Sequence, residues 1–398
     1  MNTVTDPFGK NRIQSIDILR GAIMLIMALD HVRDFFHIAG PLSNPTNMAT
    51  TTPILFFTRW ITHFCAPTFV FLSGVSAYLA GIKRTKNELS AFLIKRGIWL
   101  VLIEVLILSF AFSLNPMYNF IILQVLWAIG ISMIILGLLV RAPLYLIAIL
   151  GGIILLGHDI LDYVHPVKTG ASFIFESIFL TAQFTLLNLG HNHFLMDVYA
   201  VLPWTGIMLL GYVCGFLYKS DFNNQKRKKI LLYTGVGLLA FFTIFRLFNI
   251  YGDPAPWVVQ RNQTFTVLSF FNVSKYPPCL LYSCMTIGTS LIILSALEDI
   301  KNKFTSVLIV YGNVPFFYYV LHFYLIRIFS VILFFVTGFN THQIITPNSP
   351  FFFRPPSFGF NLGVVYLIWF GLIVILYFPC RWFSLYKKTH RQWWLSYL

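Results

Sequence analysis

One short segment combines the side chains that general acid–base chemistry uses. The residues Asp30-His31-Val32-Arg33-Asp34 stand at the end of an apolar stretch. On a helix, Asp34 lies three residues after His31 and can share its face, so a carboxylate can orient the imidazole. An imidazole held by a carboxylate is the usual arrangement of a general base. The alternative is an interfacial charge cluster, because catalytic and structural ion networks look alike in a sequence.

Two further histidines, His63 and His322, lie in other apolar stretches. A lone histidine on an apolar face is more often a hydrogen-bonded packing residue than a catalyst. Three histidines in three separate stretches nevertheless favour a cavity that they share. A metal site is not expected, because the sequence has no HxxxH or Glu-x-x-His pair to supply its ligands.

Charged side chains also interrupt the apolar stretches at Glu104, Arg246 and Arg327. Ionisable groups inside a membrane are costly, so each is a candidate for function. An unpaired Glu104 would be especially costly, and either arginine could be its partner. Gln124 and Asn249 are at least as typical of hydrogen bonds that join helices.

Polar residues also mark the beginning of the first apolar stretch. Arg12 and Arg20 could bind phosphate groups, although anionic lipid is the simpler alternative for isolated basic residues. Asp17 is favoured in the first turn of a helix. Farther along, Gly74 and Ser76 would let another helix or a ligand approach the second stretch closely.

The elements that position these residues must be membrane-spanning helices. Of the 398 residues, 57% are hydrophobic and only 11% are charged, and the mean hydropathy is +0.75. Soluble domains contain about 25% charged residues, so this chain has too few charges to cover a water-facing surface. The apolar stretches approach the roughly 20 residues that cross a bilayer. We predict an all-α polytopic protein with ten spans, at 16–37, 57–81, 97–114, 119–140, 143–160, 198–218, 230–251, 277–297, 314–337 and 358–379.

The basic residues predict the orientation of these spans. Clusters at 83–86 and 226–229 fall on the same side as the N-terminal segment and the C-terminal tail. Basic residues favour cytoplasmic loops, so both termini are predicted to be cytoplasmic. The same bias accounts for the net charge of +14, and no module suggests nucleic acid as a partner. The five cysteines show no metal-ligand spacing and are expected to pack as small apolar residues.

The longer connecting segments fall on the predicted outer side, at 38–56, 161–197, 252–276 and 338–357. Segment 171–195 is apolar enough to be predicted as an amphipathic helix on the outer surface. No internal repeat is evident, which disfavours a transporter built from inverted halves. We therefore treat 1–398 as one transmembrane domain, with 161–197 as an outer-surface segment.

Several blocks of sequence resemble one family when they are taken in order. They read RIQSIDILRGAIMLIMALDHVRDFF from Arg12, APTFVFLSGVSAYL from Ala66, LQVLWAIGISMIILGLL from Leu123, VLPWTGIMLLGYVCGFLY from Val201, FNVSKYPPCLLYSCMTIGTSLIIL from Phe271 and YGNVPFFYYVLHFYLI from Tyr311. Each block is weak alone, but their common order covers most of the chain. The sequence resembles the transmembrane acyltransferase superfamily, and most closely its branch of heparan-α-glucosaminide N-acetyltransferase and bacterial relatives.

This resemblance implies a ten-helix core that takes acetyl-CoA from the cytoplasm and acetylates a sugar on the far side of the membrane. It also implies a catalytic histidine near the outer part of the core, which falls on His31, and a second histidine block that falls on His322. The chain lacks the large lumenal domain of the animal enzyme, so its acceptor is open. The spacing after the first span also differs from that enzyme, which keeps His37 as an alternative catalytic histidine.

The resulting hypothesis is one site, with acetyl-CoA bound at one end and the acceptor bound at the other. Catalysis is assigned to His31, Asp30, Asp34 and His322; acetyl-CoA binding to Arg12, Asp17, Arg20, Glu104 and Arg246; and acceptor binding to His37, His63 and Arg327. Direct transfer and an acetyl-histidine intermediate are both open. We expect a multi-pass protein of a bacterial cytoplasmic membrane, with membrane lipids and a saccharide as partners; whether it forms a homodimer is open. The competing function is a transporter or permease in which the same polar residues line a solute path.

Overall fold

Helices form wherever the sequence has its long apolar stretches. The structure is a computed structural model that describes residues 13–40, 43–163, 170–182, 184–345, 350–390 and 392–396, and it is 71% helical. The α-helices are α1 (Gln14–Phe36), α2 (Pro53–Thr62), α3 (Cys65–Gly81), α4 (Lys86–Ile103), α5 (Ser109–Ser113), α6 (Val125–Leu139), α7 (Leu144–Gly157), α8 (Gly170–Glu176), α9 (Val201–Cys214), α10 (Asn224–Phe248), α11 (Gln263–Phe271), α12 (Leu280–Leu297), α13 (Lys303–Asn313), α14 (Pro315–Val336) and α15 (Leu362–Thr389).

Seven helical segments in the described residues are long and apolar enough to cross a membrane. They are Pro53–Gly81, Leu144–Tyr163, Val201–Tyr218, Asn224–Phe248, Leu280–Leu297, Pro315–Val336 and Leu362–Thr389. The chain is therefore a multi-pass, mostly helical membrane protein. The count of ten spans and the side on which the termini lie stay predictions.

Helix α1 is the central helix of the bundle, although it is not among those seven segments. It carries both acidic and basic side chains, yet most of its residues are buried. It packs against α3, α12, α13, α14 and α15. Its charges therefore point into the protein, where ion pairs can form, and they lower its apolar character without exposing charge to lipid.

Two predicted spans contain interruptions. The span at 57–81 is divided into α2 and α3 by a turn at His63 and Phe64. The span at 97–114 lies within α4 and α5, which a π-helical turn at Glu104–Leu108 joins. Such local departures from the α-helix are tolerated at membrane depth where the backbone is buried in protein or lines a cavity.

A small sheet departs from the predicted all-α fold. Strand β1 (Phe120–Leu123) pairs in parallel with β3 (His193–Asp197), and β2 (Thr185–Gly190) pairs with β3 in the antiparallel sense. The predicted helical span at 119–140 thus begins with a strand and continues as α6.

The predicted amphipathic helix at 171–195 is helical only in its first half. Residues 170–181 are helical, but β2 and β3 then form a hairpin. Its two central residues, His191 and Asn192, both have positive φ, at 48° and 58°. Positive φ at both positions is the requirement of a type I′ turn, whose twist suits a two-residue hairpin.

Glycines allow four pairs of helices to approach at backbone contact. Gly21 of α1 faces α13 at Gly312, where an added Cβ would lie 1.9 Å from the carbonyl oxygen of Leu308. Three more reciprocal pairs join α3 to α9, α4 to α6 and α10 to α12, namely Gly74 with Gly211, Gly97 with Gly130 and Gly235 with Gly288. Small residues at such contacts permit the close packing that holds helices together in lipid. The close approach predicted at Gly74 is therefore confirmed, with α9 as the neighbour.

Candidate active site

A large cavity runs beside α1. Its volume is about 1820 Å³, and its lining includes α1 residues from Arg20 to Phe35. Arg20 and Asp34 are separated by about 21 Å along the helix, from a rise of 1.5 Å per residue. Pockets for one small molecule usually measure about 300–1,000 Å³. The cavity therefore has room for two substrates that meet along α1.

The end of the cavity nearest the predicted cytoplasmic side is basic. Arg20 and Arg96 line it together with Lys387 of α15. The Arg20 guanidinium donates to the Ser76 hydroxyl at 2.8 Å and forms an ion pair with Asp17 at 3.2 Å. The sequence assigned both residues to acetyl-CoA binding, but only Arg20 lines the cavity, and Asp17 contacts it through the ion pair. Arg12, which the sequence also assigned here, lies outside the described residues.

His31 lies between the two ends of the cavity and contributes to its wall. Its ring centroid is 5.3 Å from that of His322 and 4.4 Å from that of Phe323, both on α14. His322 is fully buried, and its Nδ1 lies 2.5 Å from the carbonyl oxygen of Tyr319. Hydrogen bonding of Nδ1 to that carbonyl would fix the Nδ1–H tautomer and the orientation of the His322 ring. The structure therefore brings the two predicted catalytic histidines into contact.

The carboxylates beside His31 are held by arginines. Asp30 forms ion pairs with Arg33, at 2.9 Å, and with Arg59 of α2. Asp34 also pairs with Arg33. Among the described residues, no hydrogen bond joins either carboxylate to the His31 ring, so the predicted carboxylate–imidazole pair is not formed. The reason is competition, since a charge-assisted bond to a guanidinium is stronger than a bond to a neutral imidazole.

Arg59 is a site residue that the sequence interpretation missed. It lies in a predicted span, and the rule that ionisable groups inside a membrane are candidates for function would have found it. Helix α2 directs it toward α1, where it is half-buried and lines the cavity near His31. Lys275, which precedes α12, was also missed and lines the same cavity. Its position in a loop gave no comparable signal.

His63 also lines the cavity, at the turn between α2 and α3. Its side chain is buried, and its ring centroid is 5.8 Å from that of Tyr282. The Tyr282 hydroxyl donates to the His63 carbonyl oxygen at 2.6 Å and so satisfies part of the interrupted backbone.

Six predicted site residues do not belong to the lining of the cavity, namely Asp17, His322, Glu104, Arg246, Arg327 and His37. Asp17 and His322 contact the lining residues Arg20 and His31. Glu104 is fully buried and accepts hydrogen bonds from the backbone amides of Leu126 and Trp127, at 2.9 and 3.3 Å. It thereby caps the beginning of α6, and a helix N-terminus stabilises an acidic group in this place. The expected pairing of Glu104 with an arginine is therefore not formed.

The two arginines that were candidate partners of Glu104 have other contacts. Arg246 forms an ion pair with Asp253 at 2.8 Å and donates to the carbonyl oxygens of Phe270, Ala255, Ser269 and Asn272. Arg327 donates to the carbonyl oxygen of Phe352 and lies over the ring of Phe35. His37 follows α1, and its carbonyl oxygen accepts a hydrogen bond from Arg354 at 2.7 Å. These contacts hold loops in place at the predicted outer side.

The outer end of the cavity is rich in amides and hydroxyls, which are the groups that bind sugar hydroxyls. The residues that supply these groups are Asn44, Thr46, Asn115, Asn119, Asn192, Asn272 and Ser274. The side chains of Asn119 and Asn272 also tie separate segments together, through the carbonyl oxygens of Asn192 and Thr46. This end therefore differs in chemistry from the basic end near Arg20. The described residues contain no cluster of side chains that could hold a metal ion.

Comparison with known proteins assigns this architecture to a family. No curated protein matches the chain. Residues 12–246, which are more than half of the chain, match the family model described as heparan-alpha-glucosaminide N-acetyltransferase, catalytic. This region includes His31, its arginine-held carboxylates and the basic end of the cavity at Arg20 and Arg96. The chain therefore belongs to the heparan-alpha-glucosaminide N-acetyltransferase catalytic family and is a membrane protein of acetyltransferase type.

Proposed function

We propose that this protein transfers an acetyl group from acetyl-CoA, bound from the cytoplasmic side, to the amine of an amino sugar on the outer side. The observation that carries the proposal is the cavity beside α1. It joins a basic end at Arg20 and Arg96 to an amide-rich end at Asn119 and Asn192, and His31 lies between them.

The residues along the cavity fit an acetyl-CoA substrate. Arg20, Arg96 and Lys387 supply positive charge for the phosphates of the nucleotide portion, and guanidinium groups bind phosphate through paired hydrogen bonds. Farther in, Met24 and Met27 of α1 offer a flexible apolar wall to the narrow pantetheine arm. The thioester is then directed toward His31.

His31 would act as the base in the transfer. The amine of the acceptor attacks the thioester carbonyl carbon, so a C–N bond forms and the C–S bond breaks. His31 takes the proton that the amine loses, and the departing CoA thiolate is then protonated to the thiol. His322 would act as a positioning residue, because it packs against the His31 ring and its own tautomer is set by Tyr319. Transfer through acetyl-histidine remains the alternative course of the same reaction.

The test is acetyl transfer by the purified protein with acetyl-CoA and glucosamine. We expect His31→Ala to lower kcat by about 10²–10⁴-fold, the usual contribution of a general base. Acetyl-CoA should still raise the melting temperature of this variant, because its binding contacts are intact. The control is His342→Ala, since His342 is exposed and lies outside the cavity lining. Transfer by His31→Ala at the rate of the control would overturn the role of His31.

A transporter is the second candidate, because a cavity that reaches both predicted faces also suits a solute path. A transporter for another solute has no reason to bind acetyl-CoA or to cleave its thioester. Stabilisation by acetyl-CoA together with release of free thiol favours the enzyme. The absence of both, in protein that is folded and pure, would favour the transporter.

A further inference from the structure

The outer half of the cavity has more positive than negative charge. Its lining contains three cations, Arg33, Arg59 and Lys275, and two carboxylates, Asp30 and Asp34. Three cations against two carboxylates leave one positive charge. Both carboxylates are engaged by the arginines, so the excess falls on Lys275.

Lys275 is buried without a carboxylate partner in the described part of the chain. The residue is only 7% exposed, and its neutral partner is Tyr276, through a side-chain hydrogen bond and a ring whose centre lies 4.9 Å from Nζ. A ring face satisfies an ammonium group only in part. A buried cation of this kind is costly unless an anion joins it. Lys275 is therefore positioned to bind an anionic group beside His31.

The rim of the same outer end is apolar. Four side chains that line the cavity are also largely exposed, namely Met117 at 68%, Phe184 at 52%, Leu186 at 54% and Ile345 at 63%. Met117, Leu186 and Ile345 offer no strong hydrogen-bond partner to the hydroxyls of a free sugar. An exposed apolar patch that is continuous with a binding cavity indicates a ligand with an apolar part.

We propose that the acceptor is a saccharide joined through a phosphate to a lipid chain in the outer leaflet. The amine of the sugar lies at His31, the phosphate lies at Lys275, and the chain leaves over Phe184 and Leu186 toward the lipid. This inference rests on the proposed acetyltransferase function and adds to it the class of acceptor and its route of entry. A soluble amino sugar would use the amide-rich wall alone and would leave both Lys275 and the rim without a role.

The experiment compares three acceptors with acetyl-CoA and the full-length protein in detergent. They are glucosamine 1-phosphate, its farnesyl phosphodiester and neutral farnesyl glucosaminide. We expect kcat/KM for the farnesyl phosphodiester to exceed that for each of the other two by at least about tenfold, which corresponds to the loss of one charge-assisted or apolar contact.

Matched variants separate the two contacts. Lys275→Gln should lower kcat/KM for the two phosphate-bearing acceptors by about tenfold and leave the neutral glucosaminide unchanged, whereas Lys275→Arg should restore much of the loss. Leu186→Gln should impair only the farnesyl acceptors. Leu189→Gln is its control, because Leu189 lies on the same strand with a similar exposure of 55% but does not line the cavity.

The outcomes distinguish this inference from the proposed function. Equal kcat/KM for all three acceptors, or equal effects of the Leu186 and Leu189 variants, would overturn the lipid-linked acceptor and leave the acetyltransferase in place. Failure of the protein to bind acetyl-CoA or to turn it over with any acceptor would overturn the acetyltransferase itself.

Discussion

Arg59 is the residue that ties α2 to the centre of the site. It is half-buried and pairs with Asp30, which also contacts Arg33. In Arg59→Met the two carboxylates Asp30 and Asp34 would share Arg33 alone, which leaves one largely buried negative charge uncompensated. We therefore expect this variant to lower stability by up to about 3–5 kcal/mol, the usual cost of breaking a buried ion pair. Thermal unfolding of the purified protein measures this as a fall in melting temperature.

The control for Arg59 is an ion pair on the surface. Lys228 and Asp299 lie 2.6 Å apart with side chains that are 30% and 65% exposed, and solvent-exposed pairs contribute about 0.2–1 kcal/mol. Lys228→Met should therefore change the melting temperature little. Similar effects of the two variants would show that the Asp30 cluster is solvated like the surface pair.

Asp197 gives the stability a dependence on pH. It lies outside the spans at the end of β3, and burial raises the pKa of its carboxyl to about 7, although the amides of Tyr199 and Val198 oppose the shift. The folded protein thus binds this proton more tightly than an unfolded chain, in which the pKa is about 4. Its contribution to stability is complete below about pH 4 and is lost as the pH rises through 7.

We therefore expect the melting temperature of the unmodified protein to fall between about pH 5 and pH 8. The melting temperature of Asp197→Asn should fall less over the same range. Melting curves of both proteins across this range make the comparison. A parallel decline in the two proteins would assign the pH dependence to other groups.

At the scale of single residues, the sequence predicted positions better than partners. His31 and His322 are found because histidines are rare inside spans, and the structure places them together. Arg33, three residues after Asp30 on the same helix, is a partner that a local pattern contains, but the second partner, Arg59, depends on where α2 packs against α1. Glu104 shows the same limit, since backbone amides of another helix satisfy it.

The four glycine pairs are the contacts on which the helix bundle depends. We expect Gly21→Ala to destabilise the protein by about 1–3 kcal/mol or more, because its Cβ would clash with the Leu308 carbonyl of α13. Gly152→Ala on α7 is the control. No atom outside its helix neighbourhood lies within 4 Å of the position, and alanine favours a helix by about 1 kcal/mol over glycine.

The comparison is made by thermal unfolding, with acetyl-CoA binding as a second measurement. Gly21→Ala should also weaken that binding, because Arg20 is the next residue and lines the basic end of the cavity. A melting temperature for Gly21→Ala at or above that of Gly152→Ala would contradict the close packing of α1 and α13.

At the scale of elements, apolar length predicted helices well and the small sheet not at all. The stretches that became α9, α12 and α14 lie close to their predicted bounds, whereas α10 begins before its predicted span at 230–251 and α15 continues beyond its predicted span at 358–379. Residues 120–123 are as apolar as the stretches that form helices. They form a strand because they pair with β3, more than 70 residues later in the chain. Short apolar runs cannot be assigned by periodicity alone.

The orientation of the whole molecule is predicted from its basic loops and can be tested by labelling. We expect Val259→Cys to react with a membrane-impermeant maleimide in intact cells and Lys226→Cys to react only after permeabilisation, since basic loops stay in the cytoplasm. Both positions are exposed. The unmodified chain is the control, because four of its cysteines are buried and Cys214 is half-buried. The reverse pattern of labelling would place the termini outside.

The excess positive charge near Lys275 has a consequence for ion permeability. A cavity that reaches both predicted faces could let ions leak across a membrane that maintains a proton gradient, because water in it could conduct protons and sodium ions. Fixed positive charge in the wall of such a cavity repels cations while it attracts anions. We therefore expect the cations proposed to bind the phosphate of the acceptor also to limit cation leakage while the site is empty.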